Sequence, residues 1–227
     1  MPSELAPNSA QKVLPQFNLE LIEALDVYLV EDVRTARRFL RSCGIKKPIE
    51  GIEFHVLDKK TDSAGLDQIF KKIGQKDVGV LSEAGCPGVA DPGALAVAWA
   101  HRHNWKVCPL IGPSSILLAL MGSGLNGQSF TFEGYLPIEK AARVKAIKRL
   151  ESQSLNRNQT QIFIETPYRN NQLLADLIKQ CAPHTQLCIA SNLTDENEFL
   201  LTKKIKDWSG KTPELHKIPT IFLMHQK

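Results

Sequence analysis

Three glycines and two prolines crowd the stretch Ser82–Gly93, between the apolar run Val78–Leu81 and a second apolar run that begins at Ala94. Such residues let a backbone approach a ligand closely and offer N–H groups to it. Loops that join a strand to a helix usually hold about 2–6 residues, and this one is roughly twice that. The chemistry it suggests is main-chain capture of a ligand of open identity; an overlong turn is the alternative. Ile111-Gly-Pro-Ser-Ser115 is a second loop of this kind. Ser114 or Ser115 either caps the helix that follows or turns the same hydroxyl and N–H to a ligand. A nucleophilic serine is not expected, because no G-x-S-x-G is present. Glu165-Thr-Pro-Tyr-Arg169 sets a carboxylate at a strand end and an arginine on the first helical turn. That is either a surface ion pair of little worth or a site acid. Glu31-Asp-Val-Arg34 offers the same choice at a helix start.

Other patterns carry less. Gly122-Ser-Gly-Leu-Asn-Gly127 matches G-x-G-x-x-G, but it follows a helical run instead of a strand, and no acid lies about 20 residues on. His101 and His103 are spaced i, i+2 and cannot face one metal from a helix. The five cysteines are odd in number and none has C-x-x-C spacing, so neither a disulfide framework nor a zinc site is indicated. No metal is expected. The basic residues of Glu139–Leu150, with Lys203, Lys204 and Lys206, suit either phosphate contact or plain solvation.

The elements that must position these residues follow from periodicity. Val78–Leu81 and Lys106–Leu110 predict strands, and Ala94–His101 predicts a helix apolar enough to be buried on most sides. Ile116–Met121 predicts a short helix. After Gly124 come a strand at Phe130–Phe132 and a helix at Glu139–Leu150. In that helix Ala141, Val144 and Ile147 mark the inner face, and Lys140, Arg143, Lys145, Lys148 and Arg149 cover the rest. A polar loop at 155–159, a strand at Gln161–Glu165 and a helix at Tyr168–Cys181 follow. Strands near Leu187–Ala190, Phe199–Lys204 and Ile218–Met224 complete the chain. Strand–helix alternation in the first half predicts parallel βαβ units, and the denser strands at the end predict a mixed sheet. The expected class is α/β in two domains, residues 1–112 and 113–227.

The chain's 227 residues suffice to bury a full core. A net charge of +4 permits a nucleic-acid partner without requiring one. No apolar run approaches bilayer-spanning length, so no membrane association is expected. The first residues lack the basic cluster and apolar stretch of a signal peptide, and reduced thiols are expected, which together suggest a cytoplasmic protein.

Several segments, taken in order, resemble one known family. Ser82-Glu-Ala-Gly-Cys-Pro87 with Ala90-Asp-Pro-Gly93 is similar to S-D-A-G-T-P…S-D-P-G. Gly112-Pro-Ser-Ser-Ile116 is similar to P-G-P-S-A. Ser123-Gly-Leu125, Glu133-Gly-Tyr-Leu-Pro137 with Arg143, and Glu165-Thr-Pro-Tyr-Arg169 resemble S-G-L, E-G-F-L-P…R and E-S-P-H-R. Glu31-Asp-Val-Arg34 resembles E-D-T-R. These segments mark the ribosomal RNA small-subunit methyltransferase I group of the tetrapyrrole methylase superfamily, which 2′-O-methylates a cytidine of 16S ribosomal RNA. The resemblance implies two α/β domains of the tetrapyrrole methylase type, with S-adenosyl-L-methionine in the interdomain cleft, in a homodimer. By motif it implies cofactor contacts at Glu83, Gly85, Cys86, Val89 and Ala90, then Ser114, Ser115 and Ile116, then Phe163, Glu165, Ser191, Asn192 and Pro219.

The chain departs from that pattern in three places. The usual N-terminal strand and its P-T-P-I-G-N-L loop are nearly absent, which would leave a sheet position empty. R-E-L-T-K reads Ser191-Asn-Leu-Thr-Asp195, which weakens the case for the same RNA. Glu83 and Cys86 replace Asp and Thr, changes that main-chain binding should tolerate. The expected function is methyl transfer to ribosomal RNA or the small ribosomal subunit. A ribose hydroxyl needs deprotonation during attack, for which Glu83, Glu165 and Glu31 are candidate bases, their pKa raised by burial. Arg34, Arg143 and Arg169 are candidate phosphate contacts. The alternatives are a methyltransferase of the same fold acting on a small molecule or a protein residue, and a non-catalytic cofactor-binding homologue.

Overall fold

A computed structural model describes residues 1–58, 60–208, 210 and 212–227. Its chain forms two compact units, Met1–Ser114 and Ser115–Lys227. The first contains α1 (Ala10–Val13), α2 (Gln16–Ala24), β1 (Val27–Val30), α3 (Val33–Ser42), β2 (Glu53–Val56), α4 (Ser63–Ile73), β3 (Gly79–Val80) and α5 (Gly93–Arg102). Its sheet is parallel, ordered β2-β1-β3. Strand β1, Val-Tyr-Leu-Val, is buried throughout, as a central parallel strand covered on both faces should be. Tyr28 and Val30 pack with Ala36, Phe39 and Leu40 of α3. Val27 and Leu29 point the other way, to Leu66 and Phe70 of α4 and Trp99 of α5.

The second unit contains α6 (Ser115–Ser123), β4 (Phe130–Tyr135), α7 (Lys140–Arg157), β5 (Thr160–Ile164), α8 (Asn170–Gln180), β6 (Gln186–Ser191), β7 (Phe199–Lys204) and β8 (Thr220–His225). The sheet runs β4-β5-β8-β6-β7, with β4 and β5 parallel and the other pairs antiparallel. Phe163, Phe222, Leu187 and Ile189 share a core with Ile147 and Leu150 of α7 and Leu173, Leu174 and Leu177 of α8. Leu200 and Thr202 alternate with Leu201 and so face the opposite side. There α6 lies close: a Cβ on Gly122 would come 2.4 Å from Leu200, and Thr202 Oγ1 donates to Ser123 O.

The parallel first sheet and mixed second sheet agree with the pattern of the sequence; several local expectations are corrected. Residues 106–110 form no strand, because Pro109 has no N–H for a ladder. Helix α5 buries Gly93, Ala96, Trp99 and Ala100 but leaves Leu95 exposed, since its apolar character is mostly alanine. The polar stretch after Leu150 stays helical to Arg157, and Asn158 ends the helix in the left-handed conformation at φ 48°. The inner face of α7 is Arg143, Ile147, Leu150, Glu151 and Ser154, while Ala141 is exposed. The sheet edge beyond β3 is not bare: Met1 N donates to Val80 O, and Ser3 N donates to Gly85 O at 2.8 Å. Strands β1 and β2 and helices α1, α2 and α4 were not anticipated, and of α3 only its start at Glu31–Arg34 was.

Candidate functional site

From β1 the chain crosses to β2 on one side and then returns past β1 to β3 on the other. Chain order therefore reverses between β1 and β3, and the crevice outside the carboxyl ends of such strands is where open α/β sheets bind ligands. A pocket opens there, lined by Val30, Phe39 and Leu81 and by Glu31, Asp32, Thr35, Ser82 and Glu83. Asp32 caps α3: its Oδ1 accepts from Thr35 N at 2.7 Å and from Thr35 Oγ1 at 3.1 Å. Those bonds hold its carboxyl below the ordinary range. Glu83 shifts the other way. Partial desolvation, then the Asp32 carboxylate, push it up, although its side chain still reaches solvent.

The loop from Ser82 to Gly93 is fixed from within. Asp91 Oδ1 accepts from Gly88 N at 2.8 Å and Gly93 N at 2.7 Å, while its Oδ2 is buried without a partner among the described residues. A Cβ on Gly93 would lie 2.6 Å from Asp91 Oδ1, so only glycine fits that clasp. Gly85 has φ 73° and Ala90 φ 57°, both left-handed; alanine takes that conformation only at a cost. Ser82 Oγ donates to Gly85 O. Val89 and Ala90 are exposed at the tip.

The second glycine-containing loop meets the first inside the same unit. Cys86 Sγ donates to Pro113 O at 3.5 Å, and Pro113 O would lie 3.4 Å from a Cβ on Gly85. Burial raises the Cys86 thiol, which makes it a poor nucleophile. Residues of the N-terminal segment, which sequence reasoning passed over, lie against both loops. Ser3 pairs with Gly85 as an antiparallel bridge and donates its Oγ to Ser82 O. A Cβ on Gly112 would sit 2.2 Å from Pro2 Cβ. Nothing in the pattern around Pro2 and Ser3 signals this role. Asp91 was discoverable, because Asp before Pro-Gly is a turn former whose side chain binds nearby N–H groups. Ser114 ends the first unit, and Ser115 and Ile116 open α6 in the second.

In the second unit the expected residues gather at one end of the sheet. Ile164 pairs with Ile221 and Ser191 with Thr220, so Glu165, Pro219, Ser191 and Asn192 follow or precede adjacent strand ends. Asn192 N donates to Pro219 O at 3.1 Å. Phe163 is set apart: the residue is fully buried in the sheet and its ring is stacked on Phe222, so it presents no surface to a ligand. Glu165 is buried, and its Oε1 accepts from Arg169 and Thr166 N, both at 2.6 Å; Oε2 has no partner among the described residues. Burial alone would raise this carboxyl, but the Arg169 guanidinium and the Thr166 N–H outweigh it and hold it below the ordinary range. This corrects the expectation of a base with a raised pKa at Glu165: it is a held carboxylate.

The assignment of Arg143 to phosphate contact is also corrected. Its side chain is 1% exposed, with Nε and NH2 donating to Asp176 Oδ2 at 2.9 and 2.7 Å and NH1 to Ile138 O at 2.6 Å. A guanidinium so enclosed has no donor left for solvent-borne phosphate. Arg34 is exposed, and Arg169 is partly so. The motifs Glu133–Pro137 and Glu165–Arg169 each carry a tyrosine, Tyr135 and Tyr168, and both are exposed. Lys217 Nζ lies 5.9 Å from the Tyr168 ring centre.

No protein-family model matches the chain. The ribosomal RNA small subunit methyltransferase I of Mesorhizobium japonicum is 31% identical to it over 188 residues, which cover 83% of this chain and 61% of that protein. The protein of the same name from Xylella fastidiosa is 32% identical over 80% of this chain and 63% of its own length. That from Pasteurella multocida is 27% identical over 94% of this chain and 74% of its own. The chain thus spans less than two thirds of the first two relatives. Among solved structures, the methyltransferase CobJ superposes with a TM-score of 0.63 over 95% of this chain and 89% of its own, at 16% identity. At that identity the likeness is one of fold, shared across two α/β units.

Proposed function

We propose that this chain, a relative of the ribosomal RNA small subunit methyltransferases I, is an S-adenosylmethionine-dependent methyltransferase that acts on ribosomal RNA, at the 2′-hydroxyl of a cytidine. The observation that carries the reading is the Ser82–Gly93 loop, which lies at the carboxyl end of β3 in a chain related to these proteins along most of its length. The loop fits such a cofactor. Its bends expose Val89 and Ala90, and Asp91 Oδ2, without a partner among the described residues, is an acceptor suited to a ligand rich in N–H and O–H donors. Residues Glu83, Gly85, Cys86, Val89 and Ala90 would hold it from the first unit. Ser114, Ser115, Ile116, Glu165, Ser191, Asn192 and Pro219 are the further contacts that the family resemblance implies.

When bound, the cofactor supplies a methyl group whose bond to a sulfonium breaks with both electrons passing to sulfur. The chain's own contribution is position and a proton acceptor. Glu83 is the preferred base, because its raised pKa brings it nearer the acceptor's needs than the held-down Glu165. Glu83 would accept the proton that the acceptor hydroxyl gives up during methyl transfer. Glu31 lines the same pocket and is the second candidate. Arg34 and Arg169 are proposed to meet phosphates. A homodimer is part of this reading, and sedimentation equilibrium checks it.

Calorimetry should give saturable heats with S-adenosylmethionine and with its demethylated product; no heat with either on folded protein removes the cofactor. Labelled methyl groups should enter small ribosomal subunits from cells lacking the modification. Asp195, where the related pattern has lysine, favours a second reading in which the acceptor is a small molecule. Label in a small-molecule fraction and none in ribosomes would establish that reading instead. Glu83→Gln should lower the transfer rate by about 10²–10⁴. It should also abolish a rate limb that rises with pH above the ordinary carboxylate range, since the base acts only when ionised.

A further inference from the structure

We infer that the arginine face of α3 is a surface that holds the phosphate backbone of RNA, and that this grip extends from the pocket at β1 and β3 along the whole helix. Arg34, Arg37, Arg38 and Arg41 are spaced i, i+3, i+4 and i+7 and all are exposed. At 3.6 residues per turn they fall within an arc of about 100° and span about 10 Å. The opposite face carries the buried Ala36, Phe39 and Leu40.

This stripe works against the helix that bears it. Arg34 and Arg38, and Arg37 and Arg41, are like-charged i, i+4 pairs, which destabilise a helix. Among the described residues no carboxylate forms an ion pair with any of the four. Exposed positions on a capped helix tolerate neutral or acidic residues, so folding does not require four arginines. Arginine presents a planar fork that matches a phosphate in two hydrogen bonds. The arc holds no exposed apolar side chain that would anchor a protein interface, which favours RNA over a protein partner. Arg38 acts electrostatically on Glu83, and Arg34 on Asp32, so the stripe begins at the pocket itself. Arg37 lies over the Phe54 ring, 5.5 Å from its centre, a contact that leaves the edge of the guanidinium free to meet a phosphate.

The inference rests on the RNA reading, and the test separates the two. Binding of a fluorescein-labelled single-stranded RNA oligonucleotide is measured by anisotropy across a salt series, for the full chain and for R37Q/R38Q/R41Q. Log affinity against log salt should have a slope smaller in magnitude by about 2 in the triple variant, at about 0.7 per phosphate contact on a single strand. R37K/R38K/R41K should recover most of the slope. Calorimetric binding of S-adenosylmethionine and the melting temperature report that each variant is folded. K140Q/K145Q, on the exposed face of α7, should leave the slope unchanged. An unaltered slope in the triple variant, or an equal loss in the α7 variant, overturns the α3 surface while the RNA reading stands. Displacement of RNA by polyglutamate as readily as by unlabelled RNA also overturns it. A parent chain that binds no RNA removes the RNA reading itself.

Discussion

A guanidinium taken out of water is costly to leave alone, and Arg143 is enclosed by Asp176 and two main-chain carbonyls. Asp176→Ala strands that charge in the second unit and should cost about 3–5 kcal/mol, read from chemical denaturation. A loss below 1 kcal/mol would mean the pair is open to solvent. The sequence motif marked Arg143 as important but could not say whether it faces solvent or core, because arginine on a helix surface and arginine under one look alike in periodicity. Glu165 carries a pH signature of its own. Its folded pKa is depressed, so its contribution to stability is present above the ordinary carboxylate range and is lost as pH falls through the folded value. Glu165→Gln should therefore destabilise the protein at neutral pH, and the difference from the parent should shrink in acid. A difference that stays constant with pH would assign the loss to packing alone. Its sequence position at a strand end was informative; the direction of its shift depends on Arg169 folding back, which only the structure reveals.

Among the elements, the long loop and the strand before it were legible because glycine, proline and apolar runs act over a few residues. Lys106–Leu110 misled for the complementary reason. Its apolar content suits a strand, yet strand formation needs a partner edge and Pro109 cannot donate to one. Strand β1 escaped notice because no glycine or proline beside Val27–Val30 marks its ends, as the loop after Leu81 does for β3. The packing of Ser3 on Ser82 and of Pro2 on Gly112 joins positions 79 and 110 residues apart, and no local rule carries it. Gly112→Ala tests that contact. The new methyl must displace Pro2, an overpacking cost of about 1–3 kcal/mol, and affinity for S-adenosylmethionine should fall with it. Full affinity with lost stability would detach the N-terminal segment from the site.

For the whole molecule, composition and strand–helix order led to two α/β units with one parallel and one mixed sheet, because layer architecture follows from which faces are apolar. The strand order, and with it the switch between β1 and β3, was not legible, since parallel crossovers of equal length lead to either side. The family likeness came from short ordered motifs, most of them in loops, where chemistry constrains residues more tightly than packing does. A ligand that binds only the folded chain stabilises it by mass action. S-adenosylmethionine at a hundredfold its Kd should add about 2.7 kcal/mol to unfolding free energy. A denaturation midpoint indifferent to ligand would contradict the cofactor assignment at this scale.

The Asp91 clasp on Gly88 and Gly93 has a kinetic corollary. A loop already closed by its own carboxylate loses little conformational freedom when a ligand arrives, so association should be a single fast phase whose rate grows linearly with ligand concentration. Asp91→Ala would let the loop wander among conformers, only a fraction of them competent, and apparent affinity would drop by that fraction. Stopped-flow measurements on the variant should then show an observed rate that levels off at high ligand, set by how often the loop finds its shape.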